Sequence, residues 1–425
     1  MIPILKFGQV AKDEIFARVN PTVNVSEAVS AILSDVRTRR DAALFDYTER
    51  FDGAKLTVLE VTEEEIEAAV AAVEPRFLRI LEQAAQNIHQ FHSKQVRNSF
   101  VCQRDGVVLG QKVTPIENVG IYVPGGTAAY PSTVLMDSIP AKIAGCSQIV
   151  MVTPPGKDGR IPNAILAAAK IAGVDRIFKL GGAQAVAALA YGTESVPKVD
   201  KIVGPGNAYV AEAKRQVFGL VAIDMIAGPS EILIVADGKS DPSHVAADLL
   251  SQAEHDKLAS AVLVTDSEVL ALQVQQQIEE QLIKLPRQEI ARASIDNNGK
   301  IIVTDDLYAA IDVSNDLAPE HLELMVDNPF DYLDKVKNAG SIFMGRHCPE
   351  ALGDYYAGPN HTLPTSGTAR FSSPLSVDDF VKKSQFTYYT GSALAACADD
   401  VDYFARQEGL QAHGKSAMIR IEDAQ

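Results

Sequence analysis

The sequence predicts an α/β protein with two parallel sheets and helical extensions at both ends. From about residue 113, short apolar runs alternate with alanine-rich stretches of helical period, which is typical of βαβ units. Several of these runs end in a glycine-rich turn. The length of 425 residues exceeds what one hydrophobic core usually serves, so two sheets fit better than one.

The segment before the first sheet, residues 24 to 95, is predicted to be helical. Ser26 precedes the periodic apolar residues Val29, Ile32 and Val36, which open one helix. Thr62 begins an acidic first turn, which favours the amino end of another helix.

The apolar runs that follow are the predicted strands. The first set comprises GIYVPGG, QIVMVTPP, RIFKLGG, DKIVGPG, ILIVAD and AVLVTD, and the second comprises KIIVTD, HLELMV and GSIFMG. Residues 353 to 367 are rich in Gly, Pro and Asn, so we expect Asp354 and His361 to lie on a loop. After about residue 375 the pattern becomes helical and ends in a short tail that carries Glu408 and His413.

Composition excludes several classes of partner. Lys and Arg number 39 against 55 Asp and Glu, a net charge of −16, which disfavours nucleic acid. No run of about 18 apolar residues appears, and the amino terminus lacks the pattern of a signal peptide, so we expect no membrane partner and a cytoplasmic location. The 4 cysteines form no CxxC pair and are interpreted as small buried residues.

Three glycine-rich turns point to a nucleotide cofactor. GPGNAY at 204 to 209 follows a predicted strand and opens a helix, although Tyr209 stands where a dinucleotide fingerprint has its third glycine. VPGGT at 123 to 127 and GGAQA at 181 to 185 have the same context, and helix amino termini bind phosphate well. Each turn alone could merely be a tight connection. Asp224 lies where a ribose-binding carboxylate would be sought.

A candidate metal site begins in LLSQAEHD at 249 to 256. Gln252 and His255 are one helical turn apart and would face the same way. With Asp354 and His413 they offer nitrogen and oxygen donors and no thiolate, which suits zinc or a related divalent ion. Glutamine is an uncommon zinc ligand and no HExxH is present, so these residues alone leave the metal open.

Pro319-Glu320-His321, at the start of a predicted strand, offers a carboxylate beside an imidazole that can accept a proton near neutral pH. Neighbouring residues of a strand point to opposite faces, so the two could serve different steps. The alternative is an ordinary ion pair or solvent contact at the strand edge.

In these motifs and several others, the chain resembles the histidinol dehydrogenase family. The motifs that carry the resemblance extend over nearly the whole chain and recur in order: GIYVPGG, GGAQA, TESVPKVDKIVGPGNAYV, IDMIAGPSEILIVAD, DLLSQAEHD, APEHLE, GDYYAGPNHTLPT and QAHGKSAMIR. The resemblance implies an enzyme with two incomplete Rossmann-like domains that oxidises L-histidinol through L-histidinaldehyde to L-histidine. It also implies two NAD molecules per turnover, one zinc per subunit and a homodimer.

The resemblance further implies a role for each matching residue. It gives Glu320 and His321 the catalytic places, and Tyr122, Gln184 and Asn207 the NAD contacts. The implied metal ligands are Gln252, His255, Asp354 and His413, and the implied substrate contacts are these four with Ser230, His321, His361 and Glu408. Asp224 is not among the NAD contacts, so its interpretation as the ribose ligand is withdrawn.

The predicted domains follow from this scheme. They are an N-terminal extension (1–18), a discontinuous catalytic domain (19–121 and 232–375), an NAD-binding domain (122–231) and a C-terminal tail (376–425). The tail has too little apolar surface for a core of its own, and the resemblance implies that it docks on the partner subunit and completes a shared site. Two alternatives remain: a dehydrogenase of the same fold for another small alcohol, and a zinc hydrolase in which Glu320 activates water.

Overall fold

The computed structural model describes residues 1–11, 15, 17, 24–125 and 129–422. The chain divides into two compact units, the first formed by Met1–Gln95 and Glu117–Phe380 and the second by Val96–Ile116 and Val381–Gln425. Among the helices of the described ranges, none has both the length and the apolar character needed to span a membrane.

The strands of these ranges form three sheets. In chain order they are β1 (Ile4–Lys6), β2 (Phe100–Arg104), β3 (Val107–Pro115), β4 (Asn118–Tyr122), β5 (Gln148–Thr153), β6 (Arg176–Lys179), β7 (Lys201–Val203), β8 (Ala222–Ile223), β9 (Glu231–Ala236), β10 (Ser260–Thr265), β11 (Lys300–Val303), β12 (His321–Met325), β13 (Ser341–Met344) and β14 (Val381–Tyr389).

The helices connect and cover these strands. They are α1 (Ser26–Arg39), α2 (Asp41–Asp52), α3 (Glu63–Ala72), α4 (Pro75–His92), α5 (Pro131–Ala144), α6 (Asn163–Ala172), α7 (Gly182–Tyr191), α8 (Ala208–Val217), α9 (Pro242–Ala253), α10 (Glu268–Leu282), α11 (Gln288–Asn298), α12 (Leu307–Leu317), α13 (Phe330–Leu333), α14 (Glu350–Tyr355), α15 (Gly391–Ala395), α16 (Ala398–Gln407) and α17 (Gln411–Glu422). Short 3₁₀ turns lie at Ser93–Gln95, Thr368–Arg370 and Val377–Phe380.

Both sheets of the first unit are parallel, as the sequence predicts. The six-stranded sheet has the order β1-β11-β10-β9-β12-β13, and the five-stranded sheet has the order β6-β5-β4-β7-β8. Every residue of β9 is buried. Burial on both faces explains why the central strands are continuous apolar runs without polar alternation.

The helical region at the start of the chain forms as expected. Val29, Ile32 and Val36 are the buried face of α1, and Thr62 forms a capping box with Glu65 at the start of α3. The predicted boundaries group this region with the six-stranded sheet, but α1 shares its buried cluster with β5 and β6 of the five-stranded sheet. Of the predicted N-terminal extension, β1 is an edge strand of the six-stranded sheet.

The second unit differs from the helical tail that the sequence predicts. Residues 381–389 form β14, which pairs antiparallel with β3, and β3 pairs antiparallel with β2. The expectation of helix from about residue 375 is therefore wrong for this strand, whose pairing partners lie more than 200 residues earlier in the chain. Helices α15, α16 and α17 follow it, so the end of the tail is helical as expected.

Candidate active site

The six-stranded sheet brings the predicted catalytic pair together at its amino edge. Glu320 directly precedes β12, and His321 is its first residue, paired with Ile232 of β9 and Ser341 of β13. The side chains of both are buried. The pair therefore lies inside the protein and is not a solvated contact at a strand edge. Ser230, next to the first residue of β9, lies at the same edge.

His321 has the environment of a neutral base. Its Nδ1 lies 2.9 Å from the backbone oxygen of Glu231, and since a carbonyl oxygen only accepts, Nδ1 carries the hydrogen. Nε2 is then unprotonated, and it is buried without a hydrogen-bond partner in the described chain. Burial lowers the pKa of His321, and the Asp354 carboxylate opposes this shift only in part. The ring can therefore accept a proton through Nε2 near neutral pH.

Glu320 lies next to this ring in a strongly acidic environment. One of its carboxyl oxygens accepts a hydrogen bond of 2.8 Å from the backbone N–H of Glu231 and lies 3.6 Å from Nδ1 of His321. Burial raises the pKa of Glu320 well above its ordinary value, and the charges of Glu231, Asp354 and Glu350 act in the same direction. A carboxyl with a raised pKa is a stronger base once it has lost its proton, which suits the activation of a water molecule.

Asp354 and His361 also meet, but Asp354 does not lie on a loop as expected. It belongs to α14, whereas His361 lies on the irregular segment that follows. Gly353, which favoured a loop in the sequence, packs against Phe343: a Cβ at Gly353 would come within 2.6 Å of that ring. The glycine therefore permits a close helix-to-strand contact, and it does not interrupt the helix.

Asp354 and His361 form a partly buried pair, with 3.5 Å between Oδ1 of Asp354 and Nδ1 of His361. Burial would raise the pKa of Asp354, but the hydrogen bond and charge of His361 outweigh it and hold that pKa well below its ordinary range. Burial by itself would lower the pKa of His361. The hydrogen bond and charge of Asp354 outweigh burial, so the pKa of His361 is raised. Nε2 of His361 lies 3.3 Å from Oγ1 of Thr133 on α5, a helix beside the five-stranded sheet.

Glu350 is a buried carboxyl that the sequence reasoning missed. Its Oε1 lies 3.7 Å from Nε2 of His321. Burial, together with the Asp354 carboxylate, raises the pKa of Glu350 to about 9. The available signal was its spacing: Glu350 lies four residues before Asp354, so on a helix both side chains face the same way. The expectation of a loop hid that signal.

Gln252 and His255 lie differently from each other. Gln252, near the end of α9, is fully buried, and its Nε2 is 3.2 Å from Nδ1 of His321. His255 lies beyond the end of α9 and is exposed. Its backbone N–H donates to the carbonyl oxygen of Gln252 at 3.1 Å.

These donors fit a divalent metal ion. Oε1 of Gln252, a predicted ligand, is a buried acceptor without a hydrogen-bond partner among the described residues, and a cation would satisfy it. One ligand atom each of His321, Glu350 and Asp354 lie within 4.8 Å of one another. A set of nitrogen and oxygen donors without thiolate suits zinc.

The five-stranded sheet brings the predicted NAD contacts together at its carboxyl edge. Tyr122 ends β4, Gln184 lies in the first turn of α7 after β6, and Asn207 caps α8 after β7. All three line one cavity of about 1110 Å³. Because ligand pockets typically measure about 300–1,000 Å³, this cavity has room for a dinucleotide.

Two glycines let the backbone turn beneath this cavity. The N–H of Gly182 donates to the Tyr122 hydroxyl at 3.0 Å, and Gly182 has a φ of +63°. Gly204 has a φ of +111°, and a Cβ there would lie 2.2 Å from the backbone oxygen of Tyr122. Larger residues would therefore displace the strand end or the turn. In the VPGGT turn, Pro124 and Gly125 line the cavity, while residues 126 and 127 lie outside the described ranges.

Asp224, the carboxylate first sought as a ribose ligand, has a different role. It forms a buried ion pair with Lys214 and accepts a hydrogen bond of 2.8 Å from the N–H of Gly204. Lys214 donates to the backbone oxygen of Gly204 at 2.9 Å. Both side chains therefore fix the GPG turn from below, which agrees with the withdrawal of Asp224 as a cofactor contact.

The remaining predicted residues, Glu408 and His413, belong to the second unit. Glu408 follows the last residue of α16, and His413 lies in the first turn of α17. Both are near the short connection between the two helices, and His413 donates its backbone N–H to Leu410 at 2.9 Å.

Comparison with known proteins is consistent across sequence and structure. The family model described as histidinol dehydrogenase matches residues 17–421. A histidinol dehydrogenase from Listeria monocytogenes serotype 4b (strain F2365) is 56% identical over 405 residues, 95% of each chain. One from Syntrophotalea carbinolica is 58% identical over 407 residues, 95% of this chain and 94% of the relative. The crystal structure of histidinol dehydrogenase from Elizabethkingia anophelis is 40% identical, with a TM-score of 0.95 and coverage of 100% and 98%.

Proposed function

The chain belongs to the histidinol dehydrogenase family, and from this membership we propose how its residues divide the reaction between them. The activity is the zinc-dependent, NAD-linked oxidation of L-histidinol through L-histidinaldehyde to L-histidine, the last steps of histidine biosynthesis. The observation that carries the division of roles is the buried pair at the start of β12, in which Nε2 of His321 is free to accept a proton beside Glu320.

His321 is the general base of both oxidations. In the first it takes the proton of the alcohol through Nε2 while hydride leaves the substrate carbon. Its Nδ1 stays bound to the Glu231 carbonyl, which keeps the ring in one tautomer and one orientation. After it has released that proton to solvent, it accepts the proton of the hydrated aldehyde in the second oxidation.

Glu320 serves the step between the two oxidations. The aldehyde must be hydrated before a second hydride can leave, and the Glu320 carboxylate accepts a proton from the attacking water. Its raised pKa supports this role, because a carboxylate with a raised pKa is the stronger base. Ser230, His361 and Glu408 hold the substrate, and the Asp354 carboxylate beside His361 raises the pKa of its ring.

Gln252, His255, Asp354 and His413 are the proposed zinc ligands, and Tyr122, Gln184 and Asn207 the proposed NAD contacts, within a cofactor domain at 122–231. When bound, zinc supplies orientation of the substrate nitrogens and NAD supplies the hydride acceptor. Oδ1 of Asn207 caps α8 by accepting from Tyr209 and Val210, which leaves its Nδ2 to donate to a ligand.

The test separates the two half-reactions. Purified protein should reduce two NAD per histidine formed from L-histidinol. Glu320→Gln should lower the rate with supplied L-histidinaldehyde far more than the rate of alcohol oxidation, because only the former requires activated water. Equal losses in both half-reactions, or free aldehyde as the main product, would show that this division of roles is wrong.

We also propose that the functional form is a homodimer with shared sites. Glu408 and His413 belong to the second unit, while the other proposed ligands belong to the first. In the proposed dimer the tail, residues 376–425, docks on the partner and delivers one zinc ligand and one substrate carboxylate, so that a two-fold axis generates two identical sites.

Mixed dimers test this arrangement. His321→Asn and His413→Asn are each expected to be inactive. After subunit exchange, a mixed dimer has one site with both defects and one with neither. Since random exchange makes half of the dimers mixed, about a quarter of normal activity should return. Exchange without recovery would place His413 in the site of its own chain.

Two other activities would use parts of this site. A dehydrogenase of the same fold that acts on another small alcohol would not need contacts for an imidazole. The proposed substrate contacts Ser230, His361 and Glu408 fit histidinol, which argues against this alternative. A zinc hydrolase would leave the cavity at Tyr122, Gln184 and Asn207 without a purpose. NAD reduction measured with histidinol distinguishes all three.

The net charge of −16 and the biosynthetic reaction suit an enzyme of small molecules. We propose that it works in the cytoplasm, without nucleic-acid or membrane partners.

A further inference from the structure

Among the described residues that line the cavity with the proposed NAD contacts, Asp52 is the one carboxylate. Asp52, the last residue of α2, lines this cavity with Tyr122 and Gln184. Its Oδ2 is buried and has no hydrogen-bond partner within the described chain. Burial raises the pKa of Asp52 to about 6, and no cation of the described residues offsets that effect. The fold therefore carries a half-buried carboxylate with one unpaired oxygen at this point.

The position of Asp52 on its helix adds to this cost. A carboxylate at the carboxyl end of a helix meets the negative end of the helix dipole. Two cations, Arg50 and Lys157, also line the cavity, and Arg50 lies over the ring of Phe51, 5.2 Å from its centre. Because buried acceptors are almost always paired in native proteins, an unpaired one that faces a cavity indicates a donor on the ligand.

The other polar atoms of the cavity restrict which ligand group can be that donor. Oε1 of Gln184 is a second buried acceptor without a partner in the described ranges. The hydroxyl oxygen of Tyr122 already accepts from Gly182, at 3.0 Å. Acceptors of this kind bind hydroxyl or amino groups, whereas a carboxylate repels a phosphate. Adenosine ribose has such a hydroxyl in NAD and carries a phosphate on the same oxygen in NADP.

We propose that Asp52 accepts a hydrogen bond from the 2′-hydroxyl of the adenosine ribose and thereby selects NAD over its 2′-phosphorylated form. This inference rests on the proposed function, in that Tyr122, Gln184 and Asn207 hold NAD in this cavity. It replaces Asp224, the carboxylate that sequence spacing indicated for the ribose. Asp224 is paired with Lys214 and accepts a hydrogen bond from Gly204, whereas Asp52 lines the cavity.

Two substitutions separate the hydrogen bond from the charge. Asp52→Asn keeps an acceptor oxygen and removes the charge, and Asp52→Ala removes both. Binding of NAD, NADP and 2′-deoxy-NAD to the zinc-loaded enzyme is measured by calorimetry, alongside kcat and KM with histidinol. Glu49→Gln, an exposed charge change on the same helix, is the matched control. Thermal unfolding checks that both Asp52 variants stay folded, which we expect because each removes a buried charge.

Asp52→Ala should weaken NAD binding by about tenfold or more, as expected for a lost hydrogen bond to a charged group. Asp52→Asn should weaken NAD less, and both variants should bind NADP more tightly than the parent enzyme does. The 2′-deoxy analogue should bind the parent enzyme about tenfold more weakly than NAD, and this difference should vanish in Asp52→Ala. kcat should change little, because Asp52 takes no part in proton or hydride transfer.

Unchanged NAD and NADP affinities in both Asp52 variants overturn the inference. The variants Gln184→Ala and Asn207→Ala tell this failure from failure of the proposed cofactor site. If they weaken NAD while the Asp52 variants do not, only the role of Asp52 is wrong. If they leave NAD binding intact as well, NAD lies elsewhere and both proposals fall.

Discussion

The two parallel sheets contribute opposite edges to the proposed site. The five-stranded sheet presents its carboxyl edge, where Tyr122, Gln184 and Asn207 surround a wide cavity. The six-stranded sheet presents its amino edge, where Glu320 and His321 lie in a closely packed group of ionisable side chains.

The difference follows from what each edge offers chemically. At a carboxyl edge the chain turns into helix amino termini, whose free N–H groups bind phosphates with little help from side chains. At an amino edge those N–H groups are absent, and the site depends on charged side chains. Charged groups taken from water into such a site acquire strongly shifted pKa values, as Glu320, Glu350 and Asp354 do. In the proposed division of roles, the half of the site at the carboxyl edge therefore binds NAD and the half at the amino edge performs proton transfer.

The largest effect that would separate the halves is expected from His321→Asn. Loss of the base should lower kcat for both oxidations by about 10²- to 10⁴-fold, while the Kd for NAD stays unchanged because the cofactor half is intact. Steady-state kinetics with histidinol and calorimetry with NAD measure the two quantities. His347→Asn, an exposed histidine, is the control. A loss of NAD affinity in His321→Asn would show that the two halves are not independent.

Next in size is the loss of metal from Asp354→Ala. A removed ligand should lower zinc affinity by well over tenfold, and His361 should lose the carboxylate that raises its pKa. Zinc content after gel filtration, by atomic absorption, should fall from one per subunit towards zero, with NAD binding retained. Asp334→Ala, an exposed carboxylate, should keep its zinc. Full zinc content in Asp354→Ala would remove this residue from the ligand set.

A smaller effect is expected where the two halves join. Asp137 on α5 is fully buried, accepts a hydrogen bond of 2.7 Å from Thr362 beside His361, and burial raises its pKa to about 7. Because the folded-state pKa lies above the ordinary 3.8, the stability that this group contributes is present at low pH and is lost between about pH 4 and 7.

Asp137→Asn tests this pH dependence. The asparagine still accepts from Thr362 but cannot ionise. We compare the free energy of unfolding of the variant with that of the parent protein. At about 1.4 kcal/mol per pKa unit, this difference should shift in favour of the variant by up to about 4 kcal/mol as the pH rises from 4 to 8. Urea unfolding across that range measures the gain. Parallel stability curves for the two proteins would mean that Asp137 is not titrating in this window.

The smallest effect is expected from Tyr122→Phe on the cofactor side. It removes the hydroxyl of a proposed NAD contact, which also accepts from the N–H of Gly182. Loss of one hydrogen bond to NAD, about 1 kcal/mol, should raise the Kd for NAD about fivefold. Zinc content and the rate at saturating NAD should stay the same. Tyr308→Phe, at an exposed tyrosine, serves as the control. A large fall in kcat would contradict the division between a binding and a proton-transfer half.

Local patterns predicted much of this arrangement. The predicted strands from GIYVPGG to GSIFMG all form, because strands buried on both faces are continuous apolar runs that can be recognised without knowing their neighbours. The glycine turns were likewise visible, since a tight turn needs particular residues at particular places. Where the local signal was ambiguous, the prediction failed: Gly353 indicated a loop, but its neighbour Phe343 shows that it is a packing contact.

The sequence by itself therefore determined the fold class, the family and the residue types available for chemistry, because periodicity, turn residues and motifs are properties of neighbouring positions. Only the tertiary structure decided which groups act on one another. The tautomer of His321 depends on a carbonyl 90 residues away, and the raised pKa of Glu320 depends on burial among distant carboxyls. The contact of Glu350 with His321 and the place of Asp52 in the cofactor cavity likewise exist only in the folded chain. Desolvation and charge pairing act through space, and the distances that govern them exist only once remote segments have packed together.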